Sequence, residues 1–453
     1  MKKALEPLIL SWRVPDLRNR LLFVLGAMVL YVMSLHILMP DVDRQKLDEL
    51  FRSSGGILDF IDMFGGGALR KLSIVALGIM PYITSSIVFQ ILTIAFPYFK
   101  ELQKEGEYGR RKMAQWTRWA AIGLTVIQAT VAANAFMNPA IGIMKAGTPP
   151  LKFLVETVLA LTAGTMFLLW LGEQITEKGI GNGISFIIFA GIVARLPEHT
   201  WELATSPLVN WFQLLMLVVL FVGTVVFVIF VTQGERRIPV KYAPRMAGRR
   251  MVQAQRSYLP LKMAAAGVIP IIFAVSIVLF PGQIAAWYIK TLPASVVENQ
   301  TMGFRIAETL AGWFSPTSWV ASLLYAALVM GFTYFYTAVI FDVRDLSDNL
   351  KKYGGQVPGY APGRPTQLFI DRVLTRVTFA GGLFLASVAL LQWWAPTLLQ
   401  LPPSSSGGLS TLVGGTSLLI VVGVAMEIMQ NLDQQLKMRQ YEGFAKQMGR
   451  GRL

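Results

Sequence analysis

The dominant signal in the chain is an alternation of long apolar runs with short polar, often basic, segments. Ten runs stand out, at about residues 21–40, 72–98, 119–136, 153–171, 184–196, 211–231, 264–290, 319–341, 377–401 and 409–428. All but the fifth reach the roughly 18 residues that a helix needs to cross a bilayer. Lipid offers the backbone no hydrogen-bond partner, so such runs predict helices, and the pattern predicts an all-α polytopic membrane protein. A shorter apolar piece, residues 56–67, reads GILDFIDMFGGG. Its apolar residues Ile57, Leu58, Phe60, Ile61 and Phe64 lie between Gly56 and the run Gly65, Gly66 and Gly67, where the backbone turns freely. Too short to span, the piece either fills an opening as a plug or packs as a helix on the outer surface.

Prolines and polar residues inside the runs point to a pathway. Pro81 predicts a bend in the second run, and Pro270 takes the same place in the seventh. Matching interruptions in two sets of five spans predict inverted repeats with a translocation route between them. Ser85, Ser86 and Gln90 of the second run should face protein rather than lipid. Isoleucines flank the breaks: Ile79 and Ile83 beside Pro81, Ile184 and Ile188 after a glycine turn, Ile272 after Pro270. Converging branched side chains would form a dry constriction, with ordinary core packing as the alternative.

Charge orients the spans. There are 41 Lys and Arg against 26 Asp and Glu, for a net charge of +15. With the N-terminus inside, 31 of the 41 basic residues fall on inner segments. Removing the short fifth run would place the most basic loop outside, so that run counts as a span and both termini face the cytoplasm. The expected divisions are a basic amphipathic arm at 1–20, a first half at 21–203, a second half at 204–430 and a tail at 431–453. Two long inner loops, 232–262 and 342–376, belong to the second half. The first carries Arg236, Arg237, Lys241, Arg245, Arg249, Arg250 and Arg256 against one acid, Glu235. Pro and Gly punctuate it as a projecting loop suited to an anionic surface: anionic lipids, RNA phosphates or an acidic partner.

Composition excludes other classes. With no cysteine, disulfides, thiolate metal sites and cysteine nucleophiles are ruled out. The central parts of the runs hold no Asp, Glu, Lys or Arg, which argues against ion coupling. The two histidines, His36 and His199, stand far apart, and neither HExxH nor GxSxG occurs, so neither an intramembrane enzyme nor a cofactor is expected. Gly179–Gly183 reads as a tight turn rather than a phosphate cradle. A small-solute transporter or channel on a similar scaffold remains the competing class.

Several motifs together carry a resemblance: GGGALRKLSIVALGIMPYITSSIVFQ, GEYGRRKMAQWTRW, EKGIGNGISFIIFAGIV, QGERRIPVKYA, GRRMVQAQRSYLPLKMAAAGVIPIIFA and GTSLLIVVGVAMEIMQNLDQQLKMRQYEGF. Spread over nearly the whole chain, they resemble the SecY family of bacterial protein-translocation channels. The resemblance implies ten helices in two inverted five-helix halves around an hourglass pore. It implies a pore ring of Ile79, Ile83, Ile184, Ile188, Ile272 and Ile420, a plug at 56–67, and a lateral gate between spans two and seven bearing Pro81, Ser85, Ser86, Gln90 and Pro270. Unfolded secretory chains would cross the ring, and apolar segments would leave sideways into lipid. It further implies SecE and SecG as membrane partners and docking of the SecA motor or the ribosome on the basic loops, where Arg249 and Arg250 match contact positions. The chain would sit in the bacterial cytoplasmic membrane and hydrolyse nothing. One departure stands out: the family's usual arginine before the second Pro-Gly of loop 342–376 is Ala361 here, which leaves Arg364 to take over.

Overall fold

The computed structural model describes residues 9–53, 62, 65–138, 142–145, 147–205, 210–242, 245–247, 250–252, 256–263, 267–291, 302–314, 318–398 and 415–450. The first half runs α1 (Pro15–Ser34), the short α2 (Arg44–Ser53), α3 (Met80–Ala95), the short α4 (Pro97–Lys104), α5 (Glu107–Met137), α6 (Pro150–Lys178) and α7 (Gly183–Thr205). The second opens with α8 (Trp211–Thr232), followed by β1 (Glu235–Tyr242), β2 (Arg245–Ala247), β3 (Arg250–Val252) and β4 (Arg256–Lys262). It continues through α9 (Ile269–Thr291), α10 (Met302–Trp313), α11 (Trp319–Ile340), α12 (Val343–Lys352), β5 (Gly355–Gln356), α13 (Arg364–Leu398) and α14 (Gly415–Arg450). Each of the ten predicted runs thus carries a helix. Among the described residues, six helical stretches are long and apolar enough to span by length and composition alone, and the pair α3 and α4, bent by 99° between Thr93 and Pro97, forms either a broken seventh span or a re-entrant segment. Val218, Val219, Val222, Val226 and Phe230 on α8 stay exposed, as a lipid-facing surface requires.

The second run departs from expectation. Its helix begins only at Met80, and Pro81 sits in the first turn, where its missing N–H costs no intrahelical bond, so it starts the helix instead of bending it. Residues 65–79 form turns whose backbone groups find partners elsewhere: Met39 N–H donates to Leu72 O (3.0 Å) and Ile74 N–H to Ile37 O (3.0 Å). Close packing against α6 accompanies this course, because a Cβ at Gly164 would lie 1.9 Å from Ile74 O. Pro270 is likewise the second residue of α9, so both halves start the corresponding helix with proline.

The inner loops also differ from the projecting loops expected. β1 and β4 pair antiparallel from Glu235–Lys262 to Lys241–Arg256, and β5 from the other loop pairs with β1 through Lys241–Gln356 and Tyr242–Gly355. Ile238, Val240, Leu261, Leu350, Val357 and Ile370 form one core beneath this sheet. The two loops therefore fold as one platform. Asp342 caps α12 by accepting from Arg344 and Asp345 N–H, and α13 starts as early as Arg364.

Packing within each half is dense: α5 on α6, α3 on α5 and α6 on α7 in the first, α11 on α13, α9 on α11 and α8 on α14 in the second. Between the halves, α7 against α14 is the one extensive helix pair among the described residues. A single apolar cluster nevertheless reaches across both, from Val24 and Tyr31 through Ile192 to Tyr325 and Val424.

Candidate functional site

The isoleucines singled out by the sequence meet inside that shared cluster. Ile79 caps the start of α3, and Ile83 lies one turn on. Ile184 and Ile188 are one turn apart at the start of α7, Ile272 is in the first turn of α9, and Ile420 lies near the start of α14. Ile79, Ile83, Ile188, Ile272 and Ile420 are buried, and Ile184 packs half-buried against the cluster. The Gly179–Gly183 segment sets the start of α7: Gly181 has φ +80°, Gly183 N–H donates to Thr176 Oγ1 (2.9 Å), and Asn182 Oδ1 accepts from Ile184 N–H (3.0 Å). A Cβ on Gly183 would fall 1.9 Å from Gly172 O, so glycine lets α6 and α7 close together there. Helix starts from both halves thus contribute to one apolar cluster.

Beside it lies a seat made by the end of the short apolar piece. Gly56, Ile57, Leu58, Phe60, Ile61 and Phe64 lie outside the described residues; Asp62, Gly65, Gly66 and Gly67 are within them. Asp62 is fully buried and anchors this end. Its Oδ2 accepts from Arg195 Nη1 of α7 (2.7 Å), and Oδ1 accepts from the N–H groups of Leu69 (2.7 Å) and Arg70 (3.1 Å). Its carbonyl accepts from Gly65 and Gly67 N–H, at 3.1 Å each. Tyr31 of α1 donates to Gly65 O (3.3 Å). Gly66 has φ +68°, and a Cβ there would meet Tyr31 Oη at 2.5 Å and Gly191 Cα at 2.7 Å. Arg195 is itself only 5% exposed. Losing one partner from such a buried pair strands the other charge, at a cost of roughly 3–5 kcal/mol. Sequence reasoning missed this pair. Both charges are visible in the sequence, Asp62 beside Asp59 in the short apolar piece and Arg195 at the end of the fifth run, but nothing local to either names the other as its partner.

The polar residues of the second run also find partners. Ser85 Oγ donates to Pro81 O (2.9 Å), and Gln90 Nε2 to Ser86 Oγ (3.2 Å). Gln90 Oε1 accepts from the Tyr336 hydroxyl of α11, a link from one half to the other. Tyr336 is held by Phe273 of α9, with ring centroids 5.1 Å apart, and by Phe335 (5.8 Å). Elsewhere α3 makes only slight contact with α9 and α11 among the described residues, so this seam is weakly closed. Pro270 lies in the first turn of α9.

On the platform, Arg236, Arg237 and Lys241 are exposed on β1 while Ile238 and Val240 point into its core. Arg237 Nε pairs with Glu235 (2.6 Å). Arg245 and Arg250 fall on the β2–β3 hairpin, and Arg249 lies outside the described residues. Arg364 is exposed at the start of α13. Ala361 O accepts from Thr366 Oγ1 (2.7 Å), and Tyr360 stacks on Phe369 (4.2 Å), which fixes the turn between β5 and α13.

Comparison with known proteins accords with this arrangement. The SecY family model matches residues 73–429. The chain is 41% identical over 442 residues to the protein translocase subunit SecY of Thermotoga maritima, covering 96% of each. It is 43% identical over 437 residues to that of Escherichia coli K12, covering 95% of this chain and 94% of the relative. Among solved structures, a protein-conducting channel superposes with a TM-score of 0.61 at 16% identity, covering 92% of both chains. Sec61 from the canine ribosome-channel complex of the endoplasmic reticulum superposes at 0.57 and 18%, with the same coverage.

Proposed function

The chain belongs to the SecY family, and from that premise we propose that it is a protein-conducting channel through which unfolded secretory chains cross the cytoplasmic membrane. It is a multi-pass membrane protein, with both termini on the cytoplasmic side in this reading. What supports it is that Ile79, Ile83, Ile184, Ile188, Ile272 and Ile420, from helix starts in both halves, all belong to or pack against the one apolar cluster that reaches across the halves, and we read them as the pore ring. Such a ring lacks any group to replace an ion's hydration shell, yet its aliphatic side chains yield to a wide object. Residues 56–67 serve as the plug, seated by Asp62. The seam between α3 and α9, bearing Pro81, Ser85, Ser86, Gln90 and Pro270, is the lateral gate that releases apolar segments into lipid. The chain supplies a path, not a reaction, so energy comes from a partner.

The platform is the docking surface for that partner, the SecA motor or a translating ribosome, through Arg236, Arg237, Lys241, Arg245, Arg249, Arg250 and Arg364. Its fusion of both inner loops into one body supports this role. SecE and SecG complete the membrane complex, and anionic lipids neutralise the remaining inner charge.

Photoreactive probes at Ile83, Ile188 and Ile272 test the central point against an arrested secretory chain in reconstituted membranes. All three positions should crosslink to the client, and the crosslinks should vanish when its signal sequence is broken. A client that engages the membrane without crosslinking at any of them would leave the isoleucines as packing and reject the pore.

A further inference from the structure

We propose that the buried Asp62–Arg195 pair is the latch that sets how strong a signal sequence must be to open the channel, an inference that rests on the plug reading. The pair joins two elements that opening must separate. Asp62 belongs to the end of the short apolar piece, and Arg195 to α7, the helix that carries Ile184 and Ile188. The bond is 2.7 Å long, with Asp62 fully buried and the arginine side chain 5% exposed.

The surroundings make this contact decisive. One carboxylate oxygen of Asp62 gathers the Leu69 and Arg70 N–H groups while its carbonyl gathers those of Gly65 and Gly67, so residue 62 and the 65–70 turn form one knot. That knot touches α1 through Tyr31 and α7 through Gly191, with no space for a side chain at Gly66. Among the described residues Arg195 Nε is buried without a hydrogen-bond partner, so the guanidinium leans on its charge-assisted bond to Asp62. Apolar contacts weaken gradually as a segment slides, but a desolvated ion pair resists separation until water reaches it. The closed state therefore carries a threshold. A client opens the channel only through binding energy that favours the open state, and a weak signal fails where a strong one succeeds. Arg195 and Asp62 act on client choice without touching the client in the closed state.

The test uses the full chain with its membrane partners in vesicles, reading resting ion leak and transport of two clients, one with an intact signal and one with a polar residue in the signal's apolar core. Asp62→Asn and Arg195→Gln should each raise the leak by about tenfold or more and admit the defective client. The double variant should be no leakier than the worse single, since both remove the same bond. Should these variants fail to accumulate, Asp62→Glu and Arg195→Lys keep both charges but disturb the geometry, and a smaller rise in leak with partial admission is expected. Folded variants with the original leak and the original client discrimination overturn the latch. Deletion of residues 57–67 separates the two readings: a leak from the deletion alone keeps the plug and rejects the latch, whereas no leak from the deletion rejects the plug and with it the latch.

Discussion

At the scale of single residues, polar side chains do more here than the apolar composition suggests. The Tyr336–Gln90 bond ties α3 to α11 across the weakly packed seam. A neutral hydrogen bond contributes about 1 kcal/mol, enough to shift a balanced gate severalfold. Tyr336→Phe removes the donor and keeps the packing against Phe273, so marginally apolar client segments should enter lipid at lower apolarity. A graded series of client segments measures this, and an unmoved threshold would show that the bond does not hold the gate. Gln90 was legible in the sequence as a polar residue inside a span, but its partner was not, because the two lie 246 positions apart. Arg195 was hidden differently. Nothing local to it announces a carboxylate 133 residues away.

At the scale of elements, the ten helices were legible because hydropathy reports the solvent that each one faces. The course of residues 65–79 was not, since its non-helical backbone finds hydrogen-bond partners in Ile37 and Met39 and packs closely against Gly164. The inner sheet was obscured for another reason. In ERRIPVKY only Ile238 and Val240 are buried, and the arginines and proline around them mask a two-residue period. The platform gives the basic residues a fixed geometry, with Arg236, Arg237 and Lys241 displayed on one strand. Arg236→Glu with Lys241→Glu should weaken binding of the motor or ribosome by about tenfold at low salt and much less at high salt, where the charges are screened. A salt-titrated binding assay reads this, and equal loss at every salt would assign the defect to the sheet's fold instead of its field.

For the whole molecule, the orientation inferred from 31 inward basic residues is directly testable because the chain contains no cysteine. Lys145→Cys, between α5 and α6, should react with a membrane-impermeant thiol reagent from outside intact cells, and Arg236→Cys only from inside-out vesicles. The reverse pattern would invert the topology. The architecture itself has a mechanical corollary. Two halves joined along α7 and α14, and only lightly clasped at α3, would open under the proposed gating like a book on its spine. A book cannot widen the gap along its gutter without also parting its fore-edge. On that proposal every polypeptide threaded through the channel would be exposed in passing to the oily phase at its side, and sorting between export and membrane residence would need no separate decision-maker: it would be a partition experiment performed on each segment as it goes by.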